Sequence, residues 1–350
     1  MSLPPERRRQ LQELGLRALI KRRFGADVAS SARAASQQGL VTLLADGPGS
    51  PAGGAGTMAA VFADSPTGLA AAVDAAVRGG ASHLYFFSEL NSPDVARRAA
   101  AFDLPVSVVA PDGDFETLTP APPVPPVPMP DVLRPVADRL RAAALDPVWE
   151  HGVLTGEWLG LEVARAVENG GHVEFDVGVG KHDREGNRLL YPDGPTDALL
   201  AHAVATVAAM RKAGAAPHPA NQLVPDRWLR HVLVEHPSMV GLTSLTPVEP
   251  PEVRTDLRQR GVAPAWGVDP TGRPAAVVCS VGVDPDVVPQ AADTRLHAPL
   301  WPGAPCSGWR LLIAVPEGDD HPLTRRCAAL LADPAEVVAV PGDWRSVGAL

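Results

Sequence analysis

The residues that could carry chemistry in this sequence are the acids of one short stretch, residues 156–185, which reads GEWLGLEVARAVENGGHVEFDVGVGKHDRE. These acids interrupt two otherwise apolar runs; they are Glu157, Glu162, Glu168, Glu174, Asp176, Asp183 and Glu185. Carboxylates held close together repel one another unless water solvates them, basic side chains neutralise them, or a divalent cation binds between them. Whether these side chains form a solvated surface or bind a shared ligand depends on the secondary-structure elements that position them.

The second half of the stretch has the pattern of a β-strand. Val173, Phe175 and Val177 alternate with polar residues and glycines over 172–180, which predicts a half-buried strand with these three side chains facing the core. Residues 157–168 fit two patterns, because their apolar residues match both strand alternation and a helical stripe. The Asn-Gly-Gly at 169–171 then forms either a hairpin turn or a helix C-cap.

If 157–168 is a strand, a three-residue turn at 169–171 places Ala166 opposite Glu174 and Ala164 opposite Asp176. Glu162, Glu174 and Asp176 then share one face of the hairpin, which predicts a site for a divalent cation such as Mg²⁺ or Mn²⁺. The alternative is a solvated outer face, which alternation normally produces in an antiparallel sheet.

The middle region, about residues 131–236, resembles the PD-(D/E)xK, restriction-endonuclease-like family, in which a helix is followed by a hairpin carrying an acid and then an acid-x-lysine. The resemblance implies that Glu162 and Glu174 are metal ligands, with Glu157 as the upstream acid if 157–168 is a helix. Asp176 stands where the family has its lysine. Lys181 and His182 are then the residues that would position water or donate a proton.

The fold around this stretch is predicted to be α/β. Apolar strands alternate with helices both before and after the middle of the chain, which predicts parallel βαβ units at both ends and a mixed α+β region between them. The run LTPAPPVPPVPMP at 118–130 predicts an extended polyproline linker. The resulting domains are 1–117, the linker 118–130, the middle region 131–260 and a C-terminal unit 261–350. Within the middle region, the apolar run around RHVLVEH is interpreted as a strand.

The two ends of the chain also resemble each other. Residues 83–110 and 310–340 each read as apolar strand, helix and apolar strand, and each helix carries an Arg-Arg pair. We therefore predict the same strand–helix–strand unit in both, although the common βαβ pattern can produce this similarity without a duplication. The Arg pairs are expected to be solvent-exposed.

The composition limits the function classes. A net charge of −9 disfavours a large nucleic-acid interface, because phosphate binding depends on Lys and Arg. No apolar stretch is long enough for a membrane span, so we expect a soluble, cytoplasmic protein with no membrane partner. Three cysteines in no recognisable spacing are expected to be buried apolar residues.

Weaker signals lie elsewhere in the chain. The glycine-rich residues 46–56 are interpreted as a surface loop, because they match neither phosphate-binding glycine motif. Acidic turns follow two predicted strands and are expected to cap helices, with a smaller expectation of ligand binding; they contain Asp284, Asp286, Asp319, Asp320 and His321. His218 and Asn221 are expected to lie in a polar loop.

Two functions remain open from the sequence. One is a metal-dependent enzyme that cleaves phosphodiesters or otherwise handles phosphate, centred on the three acids of the hairpin. The other is a non-catalytic α/β module that binds a ligand or another protein, with the same acids on its surface.

Overall fold

A computed structural model describes residues 5–37, 40–48, 55–63, 68–88, 90–110, 116–192, 194–215 and 218–347. The chain forms two compact units. The first comprises Met1–Pro122, Val283–Asp293 and His321–Glu336, and the second comprises Pro123–Gly282, Thr294–Asp320 and Val337–Leu350. Among the described residues, no helix combines the length and the apolar character that crossing a membrane requires.

The first unit is built on a five-stranded sheet of order β1-β2-β3-β4-β5. Its elements are α1 (Pro5–Phe24), α2 (Ala26–Ser31), β1 (Arg33–Gln37), β2 (Leu40–Pro48), β3 (Ala55–Ala63), α3 (Leu69–Arg78), β4 (His83–Ser88), α4 (Pro93–Ala99) and β5 (Val106–Val109). The first three strands pair antiparallel, and β3, β4 and β5 pair in parallel through the crossover helices α3 and α4. The strand β4 is buried along its whole length, as expected for a parallel strand covered on both faces.

A four-stranded antiparallel meander forms the first part of the second unit, in the order β6-β7-β8-β9. Its elements are α5 (Arg134–Ala142), β6 (Asp146–Glu150), β7 (Val153–Trp158), β8 (Leu161–Asn169), β9 (His172–Val177), α6 (Gly180–Leu190) and α7 (Asp197–Met210). The predicted strand therefore exists but ends at Val177. Val177 is buried, and Val173 and Phe175 pack against the same core, which confirms that the three side chains face inward.

The C-terminal part of the chain forms a second five-stranded sheet, of order β10-β11-β12-β13-β14. Its elements are α8 (Pro225–Glu235), β10 (Ser244–Pro247), β11 (Ala263–Val268), β12 (Pro274–Cys279), α9 (Val287–His297), β13 (Arg310–Pro316), α10 (Pro322–Ala329) and β14 (Glu336–Val340). The sheet starts at β10, inside the range predicted for the middle region. Two pairs are antiparallel, β10–β11 and β11–β12, and β12 pairs with β13 in parallel.

The fold class is confirmed: α/β sheets with parallel crossovers stand at both ends of the chain, around an α+β middle region. The two five-stranded sheets share strand order, and both change from antiparallel to parallel pairing after their third strand. The strand–helix–strand prediction is also confirmed, since β4-α4-β5 and β13-α10-β14 occupy the two predicted ranges.

Reciprocal hydrogen bonds within the first unit support this internal repeat. When Pro93 and Pro322 are aligned, Asp103 corresponds to Ala332 and Ala101 to Leu330. The backbone N–H of Asp103 donates to the carbonyl of Leu330 at 3.0 Å, and that of Ala332 donates to the carbonyl of Ala101 at 3.0 Å. The same bond is thus made twice with the partners exchanged, which is the signature of a local two-fold axis.

The Arg-Arg pairs behave differently from the prediction. Arg97 is buried, and its Nε donates to Asp293 at 2.7 Å. Arg326 stands at the same position of the other helix and donates to Asp74 at 3.0 Å from a more exposed side chain. Asp74 lies on α3 and Asp293 on α9, so the ion pairs are reciprocal too. The expected exposure is wrong for Arg97, because a carboxylate distant in the sequence neutralises it.

Two further predictions are corrected. The run RHVLVEH belongs to the helix α8, in which Trp228, Leu229, Val232 and Leu233 are buried at helical spacing. Cys279 and Cys327 are buried as predicted, but Cys306 is exposed. Burial raises the pKa of Cys327 to about 12.

Asp286 caps a helix, although the helix is α3 rather than one that follows it in the sequence. Its carboxylate accepts hydrogen bonds from the backbone N–H of Gly68 and from that of Ala70, the latter at 3.1 Å. Burial raises the pKa of Asp286 to about 6, and these N–H groups offset the increase only in part.

We predict that Asp286 makes the protein more stable in acid. Because its folded pKa lies above the ordinary value of 3.8, its contribution is full below that value and is lost as the pH rises through about 6. The free energy of unfolding of wild type, relative to Asp286→Asn, should fall by up to about 3 kcal/mol between pH 4 and pH 7. Urea unfolding at several pH values measures this difference. Parallel curves for the two proteins would contradict the prediction.

Candidate functional site

The acidic stretch lies in the meander, whose strands are joined by three two-residue turns. The turn residues are His151-Gly152, Leu159-Gly160 and Gly170-Gly171, and all six have positive φ. Positive φ at both central residues defines the type I′ turn, whose twist matches that of the strands it joins. Residues 157–158 end β7 and 161–168 belong to β8, with the turn between them, and the helical alternative is excluded.

The last of these turns changes the predicted pairing by one residue. Asn169 pairs with His172, so the turn holds two residues instead of three. Ala166 consequently lies opposite Phe175 rather than Glu174, and Arg165 lies opposite Asp176. The predicted partners of both acids are thus wrong, because a shift of one residue reverses the face to which each side chain belongs.

Two of the predicted metal ligands bind arginines of α6. The buried carboxylate of Glu162 accepts from Arg184 at 2.5 Å and from Arg165 at 3.2 Å. Asp176 accepts two hydrogen bonds from one edge of the Arg188 guanidinium group, from Nε at 3.1 Å and from Nη2. Arg184 and Arg188 are four residues apart and therefore neighbours on one face of the helix. Each of the two acids thus binds its own arginine of α6, and they do not share a ligand.

The remaining predicted site residues point to solvent. Glu174 is exposed and accepts a hydrogen bond from the side-chain amide of Asn169 at 3.3 Å. Lys181 and His182 lie in the first turn of α6, with side chains 79% and 98% exposed. The side-chain nitrogens of Lys181 and His182 lie 3.7 and 4.0 Å from carboxylate oxygens of Glu185. Among the described residues, neither side chain forms an ion pair with the three predicted metal ligands.

Within the described ranges, no group of three or more His, Cys, Asp or Glu side chains is placed to hold a metal ion. The arginine partners of Glu162 and Asp176 supply the positive charge that a cation would otherwise bring. The metal-dependent function stays a prediction. The alternative of a solvated outer face fits Glu174 but not Glu162, whose side chain is buried.

A second, more deeply buried charge cluster was not predicted from the sequence. Glu150 and Glu157, at the ends of β6 and β7, are bound by Arg227 and Arg230 of α8. Burial alone would raise the pKa of Glu150, but the two arginines hold it below its ordinary range. Burial raises the pKa of Glu157, with Glu150 nearby. Arg227 and Arg230 are three residues apart, which is the spacing of neighbours on one helix face. Because the run RHVLVEH was interpreted as a strand, this signal was missed.

Arg211 anchors the loop that precedes α8. It is completely buried and donates to the carbonyls of Leu159, Ala220 and Leu223 at 3.0, 2.7 and 2.9 Å. Its guanidinium group also lies over the ring of Trp228, 4.7 Å from the centroid. Burial lowers the pKa of Arg211 to about 10. These contacts join the meander to α8, and within the described residues Arg211 forms no ion pair with a carboxylate.

The outer strand β9 has a free edge. In a two-residue hairpin the closing pair is hydrogen-bonded, so Glu174 and Asp176 bond back to β8, whereas Val173 and Phe175 turn their N–H and C=O groups outward. In the described part of the chain, no backbone or side-chain group bonds to these outward groups of Val173 and Phe175. The next outward carbonyl, of Val177, accepts from the amide of Asn187 at 2.8 Å.

A cleft of about 400 Å³ runs along this edge. All of residues 173–177 line one side, and the other side is formed by the end of α6 and the loop after it; the latter residues are Asn187, Arg188, Tyr191, Pro192, Gly194 and Pro195. Arg139 braces the cleft, because its guanidinium group lies 4.9 Å from the Phe175 ring centroid and donates to the carbonyl of Pro195 at 2.8 Å. The cleft is thus a groove with a strand edge for one wall.

The weaker sequence signals have structural roles where they are described. Asp319 accepts from the backbone N–H of Gly282 at 2.7 Å, and His321 caps α10. His218 caps a short turn of 3-10 helix that contains Asn221. The glycine-rich region divides between the ends of β2 and β3, and its residues 49–54 lie outside the described residues.

Comparison with known proteins adds no relative: no protein-family model, curated protein or solved structure matches this chain.

We predict that Mg²⁺ or Mn²⁺ at millimolar concentration changes the melting temperature by less than about 1 °C, because arginines already occupy Glu162 and Asp176. Thermal unfolding with added cation or chelator measures this shift, and Glu174→Ala is the matched variant. A rise of several degrees in wild type that Glu174→Ala removes would instead establish a cation on the predicted carboxylates.

Proposed function

We propose that this protein is a non-catalytic binding module, which takes an extended segment of a partner protein as an additional strand along β9. The observation that carries the proposal is the cleft along the free edge of that strand. An exposed strand edge presents unpaired N–H and C=O groups and is a template for another strand. Here the free edge of β9 lies in a groove, and the side chains that line the groove can select which segment binds.

The backbone supplies the affinity in this proposal. Val173 and Phe175 are two residues apart, so their outward N–H and C=O groups match the repeat of an incoming strand. Asn187 already bonds to the carbonyl of Val177, which ends the open edge near the start of α6. The edge therefore accommodates a short segment, with main-chain hydrogen bonds to the part of β9 nearest the Gly170-Gly171 turn.

The side chains supply the selectivity. Phe175, Tyr191 and the two prolines of the loop provide apolar surface for alternate residues of the segment. Glu174 and Asp176 bring two negative charges to the cleft, and Arg188 brings one positive charge, which is bound to Asp176. The charge of Arg188 also acts on Glu174, so the two acids and one arginine leave the lining with a net negative charge. A segment with apolar residues at alternate positions and a Lys or Arg beside Glu174 fits this arrangement.

The same contacts explain why we favour binding over phosphodiester cleavage. A metal-dependent enzyme needs carboxylates free to hold a cation and a base close to the reacting water. Glu162 and Asp176 are engaged by arginines, and Lys181 and His182 point to solvent.

The test uses peptides selected from a random library displayed on phage, with the full chain as bait. We expect Val173→Pro to weaken binding of the selected peptides at least about tenfold, because proline removes an outward N–H and blocks strand addition. Val173→Thr keeps that N–H and the strand preference, so it should bind like wild type. Fluorescence anisotropy with labelled peptides gives the dissociation constants.

Two results would overturn the proposal. One is equal binding of the selected peptides to wild type and to Val173→Pro, with both variants folded by circular dichroism. The other is a selection that returns only peptides whose binding is unaffected by Glu174→Lys, since that change reverses the charge at the cleft.

A further inference from the structure

The proline-rich linker contains a second surface with the character of a ligand. Residues 123–130 read PVPPVPMP and belong to the second unit. Proline fixes φ near −65°, so this proline segment is extended and close to the polyproline II conformation. It has no secondary-structure hydrogen bonds of its own, and it leads into the turn of 3-10 helix before α5.

Burial along the proline segment repeats every three residues. Pro123, Pro126 and Met129 are partly buried, whereas the two residues that follow each of the first two are exposed. A polyproline II helix has three residues per turn, so it carries three ridges. One ridge therefore faces the protein, and the other two face solvent. Val124 and Val127 form the first of these outward ridges, and Pro125 and Pro128 form the second.

The proline segment is held in place by specific contacts to its backbone and to Met129. The indole N–H of Trp149 donates to the carbonyl of Val127 at 2.6 Å, and the backbone N–H of Val124 donates to His297 at 3.4 Å. Met129 packs against the core of the meander. The outward ridges are strongly apolar by contrast, with Val124 69% and Val127 61% exposed. The conformation of the proline segment is thus already fixed before any partner binds, while its apolar side chains are exposed to solvent.

We propose that the two outward ridges of the proline segment bind a partner domain with an aromatic-lined groove of the kind that recognises polyproline II helices. Such grooves exploit a ligand whose conformation is already fixed, which reduces the entropy lost on binding. They hold two ridges of the ligand between aromatic side chains and leave the third unused. The third ridge here is the one turned toward the protein.

The charge pattern narrows the partner further. The chain carries no charged residue between Glu116 and Asp131, so the floor of the groove must be apolar and aromatic. Asp131, at the end of the segment, is 86% exposed but forms an ion pair with Arg134 at 2.9 Å, so no unpaired charge stands beside the ridges there. A partner whose groove is uncharged and aromatic therefore fits best. This inference is independent of the peptide-binding proposal, because the two surfaces share no residues.

The experiment titrates the full chain into a panel of isolated SH3, WW and EVH1 domains, followed by the fluorescence of the groove tryptophans. We expect at least one domain to bind with a dissociation constant in the micromolar range. Substituting both exposed prolines, Pro125→Ala with Pro128→Ala, should weaken that binding at least tenfold without lowering the melting temperature. Pro302→Ala is the matched control, because Pro302 is exposed outside the segment.

A second variant tests the other ridge and keeps the result independent of the proline substitutions. Val124→Ser with Val127→Ser should also weaken binding at least tenfold. No binding by any domain of the panel at millimolar concentration would overturn the proposal, as would equal binding by wild type and both double variants. Self-association of the chain that the proline variant abolishes would assign the ridges to a second copy and overturn it as well.

Discussion

The middle region depends on one constraint: each carboxylate that the meander buries must face an arginine. Removing a carboxylate from water costs several kcal/mol unless a charged partner and hydrogen bonds replace the solvent. Glu150 and Glu157 meet this condition through α8, and Glu162 meets it through α6. Arginine suits the task because its planar fork can serve two carboxylate oxygens at once, and Arg227 and Arg230 each reach both glutamates. These ion pairs determine which helices can pack against the meander.

The position of α6 links this constraint to the proposed function. Because Arg184 and Arg188 bind Glu162 and Asp176, α6 is held beside β9, and its last turn forms one wall of the cleft. Glu162 and Asp176, which were predicted as metal ligands, therefore hold α6 in position. Proteins usually protect exposed strand edges with charges, prolines or a covering element. Here Asn187 closes one end of the edge, while the outward N–H and C=O groups of Val173 and Phe175 have no hydrogen-bond partner among the residues that the structure describes.

Local patterns predicted the elements well, and distant contacts explain most of what was missed. Alternation identified β9, and the repeated strand, helix and strand of the chain ends followed from the same kind of pattern. The pairing of the hairpin failed because turn length sets register, and a turn of two residues in place of three moved each acid opposite a different partner. The helix α8 was interpreted as a strand because its apolar run is short, and only the burial of Trp228 and Leu229 resolves the ambiguity. No local pattern could pair Arg97 with Asp293, since those residues lie far apart in the sequence.

Hydrogen exchange at the backbone of β9, followed by NMR on the free protein, tests whether the edge of this strand is open. If the strand edge is open, the amides of Val173 and Phe175 should exchange at least about tenfold faster than those of Glu174 and Asp176, which bond to β8. Adding a peptide that binds in the cleft should then slow the exchange of Val173 and Phe175 selectively. Equal protection of all four amides in the free protein would mean that the edge is already paired, and would contradict the account.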